Sequence, residues 1–241
     1  MSPSAEAAQN LASTRPDQTS SETQTNTAAT ASTASNDASG RQPTSTSASA
    51  AELARTKISL LGALKTFPDF PIPGIQFIDI LPLFQDHAIH TALVRALELQ
   101  VLNFAAAAGS DIPFQKPDVI VGLDARGFLF GPSLALRLNA GFVPVRKQGK
   151  MPGPCVTAAY EKEYGTDYFQ IQEGAIKPGQ KVLVVDDIIA TGGSAAAAGS
   201  LVKQLGGELM GYLFILEIPF LKGREKLDGV ATVTLLETDG K

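Results

Sequence analysis

The chain has 241 residues, a net charge of −4 and no basic block, a balance that disfavours binding to nucleic acid. Its single cysteine, Cys155, precludes an internal disulfide and any cysteine-cluster metal site. That usage suits a reducing, cytoplasmic setting, with the nucleus as the alternative, and no uninterrupted apolar run reaches the length of a membrane span.

Residues 1–50 contain 11 Ala, 11 Ser and 9 Thr, and Leu11 is their one large aliphatic side chain. Such a stretch cannot bury enough apolar surface to offset its ordering entropy, so it is expected to be a disordered tail, with the folded domain spanning 51–241. A transit peptide is the sharper alternative. It requires an amphipathic, Arg-rich and acid-poor pattern, whereas Arg15 and Arg41 here are outnumbered by Glu6, Asp17, Glu22 and Asp37.

Ala51–Leu64 reads as a short helix. Prolines 68, 71, 73 and 82 make 67–82 an extended arm. A long helix follows over 88–107, with Leu93, Leu97 and Val101 on one face. His87 and His90, the only histidines, make a poor zinc set and read as a solvated turn before that helix. Val119-Ile120-Val121 is a buried strand, ending in Gly122-Leu123-Asp124-Ala125-Arg126-Gly127 and a helix to Leu138. Phe142–Val145 is the next strand. Residues 147–166 form a long polar loop in which Gly149, Pro152, Gly153, Pro154 and Gly165 are expected to prevent regular structure. Strands follow at 168–172 and 182–185, then a helix to Leu205 and a strand over 209–218. This alternation predicts an α/β fold, a doubly wound and mainly parallel sheet, with ligands beyond the carboxyl ends of the strands.

The most informative segment is Val182-Leu183-Val184-Val185-Asp186-Asp187-Ile188-Ile189-Ala190-Thr191-Gly192-Gly193-Ser194. An apolar strand delivers two carboxylates to its mouth. Gly192 and Gly193 permit positive φ and close backbone approach. Thr191 and Ser194 add hydroxyls, Ser194 near the N-cap of the following helix. Backbone N–H groups and the helix dipole then converge on a site for phosphate. An ordinary strand-to-helix turn capped by Ser194 is the plainer reading of Thr-Gly-Gly-Ser taken alone. The acid pair beside an anion site argues for something positive between them, such as a ribose with developing positive charge and a magnesium ion. Neither a Walker A loop nor a Gly-x-Gly-x-x-Gly fingerprint is present.

This segment resembles the signature with which type I phosphoribosyltransferases bind 5-phosphoribosyl pyrophosphate (PRPP). Phe67-Pro68, Pro73-Gly74-Ile75, Phe77-Ile78-Asp79-Ile80, the 122–132 run, Val145-Arg146-Lys147, Glu163-Tyr164-Gly165 and the 221–227 run are similar to the adenine-specific branch of that family, and the resemblance spans 60–236. It implies transfer of phosphoribose from PRPP to adenine in purine salvage, giving AMP and pyrophosphate, with Mg2+ carried mainly on PRPP near Asp186 and Asp187, and a homodimer. It places the 5′-phosphate on Ala190, Thr191, Gly192, Gly193 and Ser194, and the ribose against Asp186 and Asp187. Pyrophosphate falls to Arg126, Lys147 and Arg146. Adenine lies on Phe77, with Ile188 opposite and backbone contacts near Gln76, Ile78 and Ile218. Glu163, beside Tyr164 on a closing hood, handles the proton of the base. Ile78 departs from the family pattern, which carries a charge there, so its part in base recognition is expected through the backbone. The competing readings are a phosphoribosyltransferase for another base and a non-catalytic PRPP sensor. The sensor needs a DNA-binding module, for which the first 50 residues offer neither an apolar helical pattern nor a basic patch.

Overall fold

A computed structural model describes residues 45–70, 73–74, 76–104, 115–162 and 165–238. The 1–44 part of the expected tail, Ile75, the end of the helix expected to reach 107, and Glu163 with Tyr164 lie outside the described residues.

A seven-stranded sheet organises the fold. Its strands are β3 (Val119–Leu123), β4 (Gly141–Lys147), β5 (Cys155–Lys162), β6 (Gly165–Gln172), β7 (Lys181–Ile189), β8 (Glu208–Glu217) and β9 (Thr232–Glu237), in the order β5-β6-β4-β3-β7-β8-β9. The β4-β3-β7-β8-β9 part is parallel, while β5 and β6 are antiparallel additions at one edge. All five residues of β3 are buried, as expected for a central strand covered on both faces. Side chains alternate between two cores with the period of a pleated strand. Ile120, Leu183, Val185, Leu213 and Ile215 enter one core. Val121, Val182, Val184, Tyr212 and Phe214 enter the other.

The first core is closed by α1 (Ser45–Ala63), α3 (His87–Leu102) and α4 (Gly131–Arg137), through Leu60, Leu93, Leu97 and Leu134, with a four-residue turn α2 (Pro82–Gln85) leading into α3. Charged groups tie these helices together: Arg95 pairs with Glu52 at 3.1 Å, and Glu98 takes Arg95 at 2.9 Å and Arg137 at 2.6 Å. The second core is closed by α5 (Gly193–Gln204) through Ala195, Ala198, Leu201 and Val202. A Cβ on Gly199 would collide with the Tyr212 hydroxyl, so glycine lets α5 lie close on β8.

Several expectations change. α1 begins at Ser45, inside the stretch assigned to the tail, because its alanines are strong helix formers and extend a helix anchored by Leu53 and Leu60. His87 and His90 belong to the first turn of α3, whose N-cap Asp86 accepts from the Ile89 amide at 2.9 Å. The arm is a hairpin of β1 (Lys65–Pro68) and β2 (Gln76–Asp79). Within the 147–166 segment, Lys147 ends β4 and regular structure resumes at Cys155. From Cys155 the segment forms β5, paired with β6 over eight residue pairs, because Ala158 and Tyr160 bury one face with Phe169 and Ile171. β9 lies where the sequence reading assigns no strand.

Candidate active site

The site lies at the carboxyl ends of β3 and β7, which run side by side, with Gly122 opposite Val185. Both strands give way to loops there, and the loops face one cleft of about 520 Å³. Among the residues expected from sequence, Phe77, Ile78, Arg126, Lys147, Asp186, Asp187, Ile188 and all of 190–194 line it, as do Gln76 and Ile218. Arg146 does not. Its guanidinium pairs with Asp124 at 3.4 Å and donates to the Lys150 carbonyl at 3.0 Å, beside the cleft.

Asp187 is 3% exposed, and Arg126 donates from Nε to its Oδ2 at 2.5 Å. The rest of the Arg126 side chain is nearly half exposed, so most of its donors still face the cleft. Asp186 keeps partial exposure at the cleft floor. Enclosure by protein and then the neighbouring Asp187 carboxylate push its carboxyl well above the ordinary aspartate range, and Arg126 counters only part of this. Gly127 fits tightly over the pair: a Cβ there would stand 3.0 Å from the Val185 carbonyl and 3.4 Å from Asp186 Oδ1.

The 190–194 loop has one glycine with positive φ, Gly192 at +78°, which is the N-cap of α5. Gly193 is the first helical residue and lacks that conformation, and Ser194 is the second. Ser194 therefore is not the N-cap, and no side chain caps the helix. The first amides of α5 thus have no side-chain acceptor and point out at the cleft mouth, an arrangement suited to an anion. Gly192 is required for a second reason. A Cβ on it would run into the Gly223 carbonyl, because the 222–226 turn packs backbone-to-backbone beneath the loop.

Three of the cleft residues that sequence reasoning missed bear on its chemistry. Asp124 stands in the first strand-end loop and adds a third carboxylate. Tyr160 and Phe169, stacked with ring centroids 4.6 Å apart, form a wall supplied by the β5–β6 hairpin. The Tyr160 hydroxyl donates to Asp167 at 3.1 Å, and burial, followed by Asp167, Asp124 and Asp186, pushes its pKa up to about 12. The alternation in Ala158-Ala159-Tyr160 against Phe169-Gln170-Ile171 is the signal that would have revealed this wall. Opposite, Phe77 stands edge-on to Phe70 at 5.0 Å, separating the cleft from an apolar cavity under the β1–β2 hairpin. Among the described residues, no group of three His, Cys, Asp or Glu side chains could hold a metal ion.

Residues 95–228 match the phosphoribosyl transferase domain. The chain is 53% identical over 184 residues to the adenine phosphoribosyltransferase of Debaryomyces hansenii, covering 76% of this chain and 93% of that one. The chain belongs to the adenine phosphoribosyltransferase family. It is likewise 54% identical over 166 residues to adenine phosphoribosyltransferase 1 of Saccharomyces cerevisiae, covering 69% of this chain and 85% of that one. The fold agrees. A Saccharomyces cerevisiae adenine phosphoribosyltransferase, solved with an imino-altritol bisphosphate and adenine, superposes with a TM-score of 0.70 at 51% identity, covering 76% of this chain and 99% of that one. The Trypanosoma brucei adenine phosphoribosyl transferase, solved with AMP, pyrophosphate and ribose-5-phosphate, superposes at 0.63 with 26% identity, over 77% and 80% of the two chains.

Proposed function

We propose that the cleft transfers the 5-phosphoribosyl group of PRPP to N9 of adenine, releasing AMP and pyrophosphate. The observation that carries this reading is the convergence of an uncapped helix N-terminus, an acid pair and two cations on one cleft with an aromatic wall.

The 190–194 loop receives the 5′-phosphate on its backbone amides. Asp186 and Asp187 face the ribose, where breaking the C1′–O bond leaves oxocarbenium-like charge that fixed carboxylates stabilise. Arg126, anchored through Nε, presents its remaining donors to pyrophosphate, and Lys147 adds a mobile point charge. Arg146 contributes from behind Asp124. Adenine lies between Phe77 and Ile188, its edge read by backbone groups of Ile78 and Ile218. This reading does not need a charge at position 78. Glu163 is assigned the proton of the base on the strength of the sequence resemblance, with Tyr164 beside it.

Magnesium fits as part of the substrate. It prefers one or two carboxylates plus phosphate oxygens over an all-protein cage, and Asp186 and Asp187, which line the same cleft as Arg126 and Lys147, would be the carboxylates to assist. A homodimer is proposed on the strength of the family resemblance alone. A cytoplasmic location accords with the single cysteine and with the finding that no described helix is long and apolar enough to cross a membrane.

Incubating the protein with PRPP and magnesium plus adenine, hypoxanthine, guanine or orotate tests the assignment. AMP should form rapidly and the other nucleotides much more slowly. Comparable turnover of hypoxanthine would remove the assignment to adenine and leave a phosphoribosyltransferase of another specificity. Sedimentation of the same sample tests the dimer.

A further inference from the structure

We infer that Arg224 and Glu217 form a positioning pair that holds the 190–194 loop in its binding geometry from outside the cleft. The inference rests on the reading of that loop as the 5′-phosphate site.

Neither residue lines the cleft. Glu217 ends β8 and is 8% exposed. Arg224 grips it with two parallel bonds, Nε to Oε1 at 2.7 Å and Nη2 to Oε2 at 2.5 Å. The same guanidinium donates from Nη1 to the Thr232 carbonyl at 2.7 Å and from Nη2 to Thr234 Oγ1 at 3.2 Å, both on β9. Thr234 in turn donates to Glu217 at 3.2 Å. The hydrogen bond from Arg224 is the main reason the Glu217 carboxyl is held below the usual carboxylate range, so the pair is charged at neutral pH.

The segment held in this way is otherwise poorly anchored. Between Pro219 and Leu227 only Gly223 and Leu227 are buried. Gly223 immediately precedes Arg224, and it is the residue that touches the loop. A Cβ on Gly223 would stand 3.0 Å from the Gly192 amide nitrogen and 2.8 Å from Ile189 Cγ1, and would collide with the Ala190 carbonyl. The reciprocal Cβ on Gly192 would collide with the Gly223 carbonyl. Two backbones are thus in contact with no side chain between them. A shift of the 222–224 turn therefore passes directly to the loop. Displacements of about 1 Å from a distant change can cost about 10²-fold in rate where geometry is critical, and the amides that hold a phosphate are subject to the same demand for position. A role confined to stabilising the ends of β8 and β9 would not distinguish ligands by their phosphate.

The test compares binding of AMP and of adenosine by calorimetry in wild type, Arg224→Gln, Arg224→Lys and Glu217→Gln, with Glu225→Gln as a control. Glu225 makes only a surface pair with Lys222 at 3.8 Å, both side chains 72% exposed. Arg224→Gln should weaken AMP about tenfold or more while adenosine changes less than about twofold. Arg224→Lys, which keeps the charge but not the fork, should fall between, and the control should match wild type. Melting temperature is read on every sample, and Arg224→Lys carries the test if Arg224→Gln does not fold. Equal losses for AMP and adenosine, or no loss of AMP affinity in folded variants, would overturn the positioning role. Equal affinity of wild type for AMP and adenosine would instead overturn the reading of the loop, and the inference with it.

Discussion

Arg126 Nε sits 2.5 Å from Asp187 Oδ2, so one of the two cleft cations is locked to the more buried of the two adjacent acids. Pyrophosphate binding and the charge at the ribose are thereby linked through one side chain. Arg126→Met leaves Asp187 buried without its partner. With Arg126 half in solvent, stability should fall by only about 1–3 kcal/mol, while PRPP affinity drops steeply and adenine affinity stays close to wild type. Thermal melts and separate titrations with the two substrates check this. Retained PRPP affinity would assign pyrophosphate to Lys147 and Arg146 without Arg126.

Asp186 gives a pH signature. Its folded pKa is raised, so between the ordinary aspartate value near 3.9 and the raised value the folded state holds more protons than the unfolded one. Stability from this group is therefore present at low pH and lost as pH rises through that window. Asp186→Asn should raise the melting temperature at neutral pH, and the gain should vanish toward pH 4. Turnover should fall on the order of 10²-fold through the lost charge. A melting temperature unchanged at neutral pH would mean that Asp186 is not destabilised in the fold.

The two loop glycines should separate. Gly192→Ala meets both the left-handed conformation, costing about 1–2 kcal/mol, and the collision with Gly223, so stability and AMP binding should fall together. Gly193→Ala carries no left-handed strain, so it should lower the melting temperature less than Gly192→Ala does, and PRPP affinity should fall if phosphate approaches that backbone. Identical behaviour of the two variants in melts would contradict the observed φ assignments.

Glu163→Gln should reduce turnover by roughly 10²–10⁴ with PRPP binding intact and one limb of the pH profile lost. Glu161→Gln should do little. Near-normal turnover in the first would hand the proton to solvent or a backbone carbonyl, and leave the mechanism to Asp186 and Asp187.

Removing residues 1–44 should change neither melting temperature nor turnover, given their composition. Removing 1–56 should cost stability, because it takes away the N-terminal 12 of the 19 residues of α1 and the Glu52–Arg95 pair. Circular dichroism melts of the two truncations distinguish these outcomes.

What the sequence made legible was local. The acid pair, the two glycines and the cations sit within short runs after apolar strands, so their convergence follows from strand ends meeting at one edge. The parallel sheet was readable for the same reason. The β5–β6 hairpin was obscured by Gly149, Pro152, Gly153 and Pro154, whose breaking effect stops at Cys155 rather than spreading through the segment. The positive φ could not be apportioned between Gly192 and Gly193, since it depends on where the helix starts. The contact between Gly192 and Gly223 joins distant parts of the chain through backbone atoms alone, and no side-chain pattern records it.

Leu60 of α1 shares a buried cluster with Val233, Leu235 and Leu236 of β9, so the two ends of the domain's sequence meet in one core. A ribosome delivers the chain from its N-terminus. α1 therefore emerges first and waits for the strand that completes its seat, while every strand from β3 to β8 is made in between. During synthesis the part of this helix that packs on β9 is therefore expected to stay uncovered until β9 has left the exit tunnel.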